Sequence, residues 1–156
     1  MFLPSWAHWT SNQRSAAGKT SYAGARSVTV RPVRVLVCWV GNTDLRASQG
    51  EAAAGLGPIG QALQGLEFDQ VVLLSNYPKK DTTSYVRWAR AHTTANVTLR
   101  QVALEDPTHF ASIYKLADEA LEELRAAARK NREDLELTLH LSPGTPVMAA
   151  VWVVLG

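Results

Sequence analysis

The 156 residues, 46% apolar and 19% charged, describe one globular domain of ordinary composition, long enough for a single sizeable core and too short for a second catalytic domain beside it. Ten glycines and seven prolines exclude a collagen-like or low-complexity chain, and no stretch reaches the roughly 18–20 continuous apolar residues of a membrane span. The formal charge is only +2 but uneven: no acid precedes Asp44, whereas Arg14, Lys19, Arg26, Arg31 and Arg34 do. A basic leader explains that asymmetry more simply than a nucleic-acid-binding arm.

Residues 1–31, rich in Ser, Ala, Thr and Gly and without a helix or strand period, are expected to form this flexible basic leader, with the folded domain over 32–156. The opening Met1–Trp6 stretch lacks the basic and apolar regions of a secretory signal. A single cysteine, Cys38, cannot form an internal disulfide, so a reducing, cytoplasmic setting is expected.

Residues 33 to 40 are apolar and branched, as in a strand covered on both faces, and break into the polar loop Gly41-Asn42-Thr43-Asp44. Pro58 to Leu66 is expected to be a short helix, weakened by Gly60 and Gly65, before a second buried strand at Val71–Leu74 that ends at Ser75-Asn76-Tyr77. A helix over about Thr83–His92 presents Tyr85, Trp88 and Ala89 inward, and Asn96–Leu104 resumes a strand pattern. Asp106-Pro107 reads as a cap followed by proline at the first helical position of one long helix, with Phe110, Ile113, Ala117, Leu121, Leu124 and Ala128 facing the core. Its acids Asp118, Glu119, Glu122 and Glu123 precede the bases Arg125, Arg129 and Lys130 and paint a solvated face. Leu135–Leu141 is a fourth strand, Ser142-Pro143-Gly144-Thr145-Pro146 a compact loop, and the last ten residues a buried helix or, on their branched composition, a strand.

This alternation predicts a Rossmann-like α/β fold of three layers with a mostly parallel, doubly wound sheet. If the strands lie in the order three, two, one, four, the two distinctive polar loops meet at the topological switch point, where such sheets receive ligands. Gly41 would allow close backbone approach while Asn42, Thr43 and Asp44 offer amide, hydroxyl and carboxylate groups; structural turn formation uses the same residues. Ser142, Gly144 and Thr145 would aim hydroxyls and backbone N–H groups at an anion, with Pro143 stiffening the loop. Ser75, Asn76, Tyr77 and His140 are peripheral candidates: Tyr77 stacks on a base or packs its turn, and His140 donates to a phosphate or holds a local backbone partner.

The chemistry these residues exclude is as informative. There is no Gly-Lys-Ser/Thr phosphate loop and no repeated-glycine dinucleotide fingerprint. The four histidines show no metal-ligand spacing, and neither a catalytic Cys–His pair nor a specified carboxylate pair is evident, so no catalytic residue, metal or cofactor is assigned.

Val35–Asp44, Asp106-Pro107 to Ile113-Tyr114, and above all His140-Leu141-Ser142-Pro143-Gly144-Thr145-Pro146-Val147-Met148 resemble the CRISPR-associated Rossmann-fold (CARF) ligand-sensing family. The resemblance is nearest to the amino-terminal sensor domain of bacterial RNA-repair-operon activators and covers residues 33 to 156 or so. It implies a homodimeric, non-catalytic sensor that binds a cyclic oligoadenylate or RNA-derived ligand and regulates an attached effector module or the transcription machinery. Asn42, Thr43 and Asp44 match the family's first ligand loop, and Ser142, Gly144 and Thr145 its second. Pro146 stands where some relatives carry lysine, and the chain stops short of the family's last strands. The alternatives are a ring nuclease or RNA phosphodiesterase, and a dimerisation domain that binds no ligand.

Overall fold

The computed structural model describes residues 31–156; of the expected leader, all but Arg31 falls outside the described residues. Four strands, β1 (Val33–Trp39), β2 (Gln70–Ser75), β3 (Asn96–Gln101) and β4 (Leu135–His140), form one sheet in the order β3-β2-β1-β4. Every neighbouring pair is parallel, with Cys38 opposite both Leu73 and His140. This is the order that brings the two polar loops together, and it places the switch point between β1 and β4.

The central strand explains the architecture. Because side chains alternate across a strand, Val35, Val37 and Trp39 point to one face while Leu36, Cys38 and Val40 point to the other. All six are nearly inaccessible, so both faces must carry helices. On the first face lie α1 (Asn42–Ser48), α2 (Gly57–Gly65) and α3 (Lys79–Arg90), contributing Leu45, Ile59, Leu63, Tyr85 and Ala89. On the second lie α4 (Phe110–Asn131) and α5 (Pro146–Leu155), contributing Ile113, Ala117, Leu121, Val151 and Trp152. The result is the expected Rossmann-like three-layer fold.

Three local expectations are corrected. The stretch after β1 is not simply a polar loop: helix α1 starts at Asn42, and a 3-10 turn follows at Ala52–Ala54. Helix α4 starts at Phe110, not at Asp106-Pro107, because Asp106 Oδ1 accepts hydrogen bonds from the Thr108 backbone and hydroxyl at 2.8 and 2.6 Å and closes a separate turn. His109 caps the helix instead, its Nδ1 accepting from Ser112 N at 3.3 Å, and Phe110 is left largely exposed. The final segment is a helix, but it is not buried all round: Met148, Val151 and Trp152 face the core while Val153 and Val154 face outward.

The acidic and basic run on α4 behaves as expected for a solvated face, with Arg125 and Arg129 both paired to Glu122. Arg100 of β3 also reaches this helix, at Glu119 and Glu123. Such exposed pairs contribute little to stability.

Candidate ligand crevice at the carboxyl end of the sheet

The two loops singled out in the sequence meet. Gly41, at the end of β1, lies so close to the β4 loop that a Cβ added there would stand 2.9 Å from Gly144 N and 3.5 Å from Pro143 Cα, so the contact requires glycine. Gly144 adopts φ +90°, and a Cβ on it would strike Met148 Sδ at 2.7 Å and Trp39 Cβ at 3.2 Å. The β4 loop is therefore folded down onto Trp39, which packs against Trp152 with ring centroids 6.2 Å apart.

Within this pair of loops the groups divide by orientation. Asn42, Thr43, Ser142 and Gly144 are exposed at the mouth. Asp44 is fully buried, its Oδ2 accepting from Gly41 N at 3.1 Å and its Oδ1 from Ile59 N at 2.9 Å. The sequence placed Asp44 among the ligand-contacting groups; its carboxylate is instead turned inward onto backbone N–H groups of its own fold. Burial raises its pKa to about 6, against the lowering effect of those hydrogen bonds.

Pro143 is likewise buried and shapes the loop from beneath. Thr145 is the N-cap of α5: its Oγ1 accepts from Met148 N at 3.3 Å and donates to Pro107 O at 2.9 Å. Its hydroxyl ties the β4 loop to the Asp106–Thr108 turn and is engaged with the protein, unlike the free anion donor the sequence suggested. The mouth thus offers an amide, two hydroxyls and backbone N–H groups, a set suited to base edges, ribose hydroxyls and phosphate oxygens.

The peripheral candidates sit lower. Ser75 is fully buried and accepts from Tyr77 N at 3.2 Å through its Oγ. Asn76 and Tyr77 are half-buried on the loop beside α1, and Tyr77 O accepts from Gln101 Nε2 at 2.6 Å. Burial, and after it the Asp44 charge, raises the Tyr77 phenol pKa. His140 is 6% exposed, and its Nε2 lies 3.1 Å from Pro58 O, which as a carbonyl can only accept, so this nitrogen carries the proton. Burial lowers its pKa against the opposing effect of that bond, which disfavours the charged imidazolium. The local-partner reading of His140 describes its geometry.

Cys38 is buried beneath the same loops, and burial, then the nearby Asp44 charge, raises its thiol well above the ordinary range. A thiol so held is a core group and not a nucleophile at neutral pH. Among the described residues, no cluster of His, Cys, Asp or Glu is arranged to hold a metal, and no helix is long and apolar enough to cross a membrane. A shallow depression at the opposite, amino-terminal end of the strands is lined by Arg31, Arg34, Phe68, Asp69 and His92. There Asp69 accepts two bonds from Arg31, at 2.6 and 2.8 Å, and one from Arg34 N, so its acid is already matched.

The sequence did not single out Gly57, Pro58 and Ile59 as part of this region, although they contact Asp44 and His140. The available signal was a Gly-Pro pair opening an apolar helix, which by itself marks only a helix start.

No protein-family model matches the sequence, and neither does any curated protein. Among solved structures, the chain is similar to Csm6 of Enterococcus italicus bound to cyclic hexa-2'-fluoro-hexa-dAMP, with TM-score 0.62 and 19% identity over 78% of this chain and 30% of that one. It is also similar to Can2 of Sulfobacillus thermosulfidooxidans in complex with cyclic tetra-adenylate, with TM-score 0.52 and 19% identity over 76% of this chain and 27% of that one. At this identity the likeness is one of fold, and the chain spans less than a third of either protein.

Proposed function

We propose that this chain is a ligand-sensing domain of the CARF kind, binding a cyclic oligoadenylate across the crevice between the β1 and β4 loops without consuming it. The observation that carries the reading is the contact of Gly41 with the Pro143-Gly144 backbone at the β1/β4 switch point, with Asn42, Thr43 and Ser142 exposed around it. Two structures of similar fold hold cyclic adenine nucleotides, which favours this ligand class over a linear RNA end.

In this reading the exposed side chains and backbone N–H groups recognise the ring, and a second copy of the chain supplies the other half of a symmetric site. Binding is conveyed to an attached or partner effector, of which a transcriptional module is one kind. The setting is cytoplasmic.

The test is equilibrium binding of cyclic tetra-adenylate, cyclic hexa-adenylate and short RNAs with defined ends, with oligomeric mass and ligand integrity recorded on the same samples. Saturable binding of an intact ring supports the sensor. Turnover of ring or RNA beyond stoichiometry replaces it with a nuclease, and a folded dimer that binds none of these replaces it with an assembly domain.

A further inference from the structure

One peptide group joins the two loops from behind. The N–H of the Pro58–Ile59 peptide donates to Asp44 Oδ1 at 2.9 Å, and the C=O of the same peptide accepts from His140 Nε2 at 3.1 Å. Asp44 belongs to the segment that follows β1, and its other oxygen holds Gly41 N at 3.1 Å. His140 is the last residue of β4 and stands two positions before Ser142. The front of the two loops touches at Gly41 and Gly144, so these contacts close a ring through both loops and the first turn of α2.

The peptide is seated tightly. Gly57 has φ +68°, and a Cβ there would lie 2.8 Å from Asp44 Oδ1 and 3.0 Å from Asp44 Cα, so α2 begins directly against the Asp44 backbone. Ile59 is fully buried in the core under α1–α3. Two buried polar side chains converging on opposite ends of one peptide unit satisfy groups that would otherwise be costly in that interior.

We propose that the Pro58–Ile59 peptide is a coupling bar that holds the β1 and β4 loops in one arrangement, with Asp44 and His140 as positioning residues that grip its two ends. A displacement of either loop then pulls on the start of α2, and α2 carries it to the α1–α3 face. That the displacement originates in ligand occupancy rests on the function proposed above; the mechanical linkage does not.

Amide hydrogen exchange on the full chain without ligand tests the linkage. His140→Leu removes the donor to Pro58 O, and the bar requires exchange to rise about tenfold both at 57–61 and at 41–45, the far side of the bar. His140→Gln, which restores an N–H donor, returns both segments toward wild-type rates. Asp44→Leu, which removes the acceptor of the Ile59 N–H, runs the test in reverse and raises exchange at 140–145. Acceleration confined to the segment around each substitution, with the opposite loop at wild-type rates, overturns the bar.

Saturating cyclic tetra-adenylate separates this proposal from the functional one. Protection at 41–45 and 140–145 together with a changed rate at 57–61 supports the bar, whereas protection of the loops without change at 57–61 overturns it and leaves ligand binding standing. Absence of protection anywhere overturns the ligand, while the ligand-free comparison still decides the bar.

Discussion

Replacing Asp44 with asparagine isolates the energetic consequence of burying this carboxylate. Its pKa rises from 3.8 to about 6 because burial outweighs three backbone hydrogen bonds. The folded state therefore binds the Asp44 proton more tightly than the unfolded chain does. The stabilising contribution is fully present below pH 3.8 and is lost as pH rises through 6. A tenfold change in affinity is worth about 1.4 kcal/mol, so the full loss is about 3 kcal/mol, of which about 2.4 kcal/mol falls between pH 4 and pH 7.

Asparagine has nearly the same shape and keeps one oxygen for Ile59 N, but it cannot ionise and so lacks this slope. Urea unfolding of wild type and Asp44→Asn at half-unit steps from pH 4 to pH 7.5 gives the difference directly, and every titration the two chains share cancels. The variant should gain on the wild type by about 2.4 kcal/mol across that interval, most steeply between the unfolded and folded pKa values, with the midpoint of the gain near pH 5 and a plateau above pH 6. A difference that stays flat, or falls as pH rises, would refute the assignment of Asp44 as a buried carboxylate held by its own backbone.

Three further outcomes follow from the same contacts. Gly144→Ala forces a side chain into φ +90° and against Met148 Sδ, and should lower stability by about 1–3 kcal/mol in urea unfolding. Thr145→Val removes both the cap on Met148 N and the bond to Pro107 O, and should cost about 1–2 kcal/mol, while Thr145→Ser should recover most of it. Asp69 is held at about 2, chiefly by the Arg31 side chain and next by Arg34 N, so its contribution is present above pH 3.8 and is lost as pH falls toward 2. The acid limb of the stability profile should therefore be shallower in Asp69→Asn than in wild type, as acid titration followed by circular dichroism would show.

How much of this was legible in the sequence depended on the range of the interaction. Strand β1 announced itself because a strand buried on both faces must be apolar at every position, and Val35–Val40 is. Alternation of strands and helices announced a mostly parallel sheet but left its strand order open; the meeting of the two loops followed only once the order three, two, one, four was assumed. Helix α1 escaped because its seven residues, NTDLRAS, carry only two apolar side chains that reach the core, Leu45 and Ala47, too few to show a period.

Polar side chains were the harder case. Asp106 before a proline fits a helix cap, and also fits the turn it makes with Thr108, a turn to which the Thr145 hydroxyl adds a bond at Pro107 O from 38 positions away. Asp44 and Asn42 are two residues apart and similar in kind, yet one is buried and the other lies at the mouth. What turns Asp44 inward is the N–H of Ile59, presented by a helix 15 positions on, and no local pattern encodes that partner. His140 is the same case at longer range, with Pro58 82 positions distant.

The proposed occupant of the crevice between the β1 and β4 loops is a cyclic oligoadenylate. Amide chemical-shift mapping of the isotopically labelled chain titrated with cyclic tetra-adenylate tests it most directly. Saturable shifts are expected at Gly41, Asn42, Thr43, Ser142 and Gly144, with Ile59 following at the same midpoint. Shifts centred on Arg34, Phe68 and His92 at the opposite end of the strands, or a spectrum unchanged by the nucleotide, would contradict it.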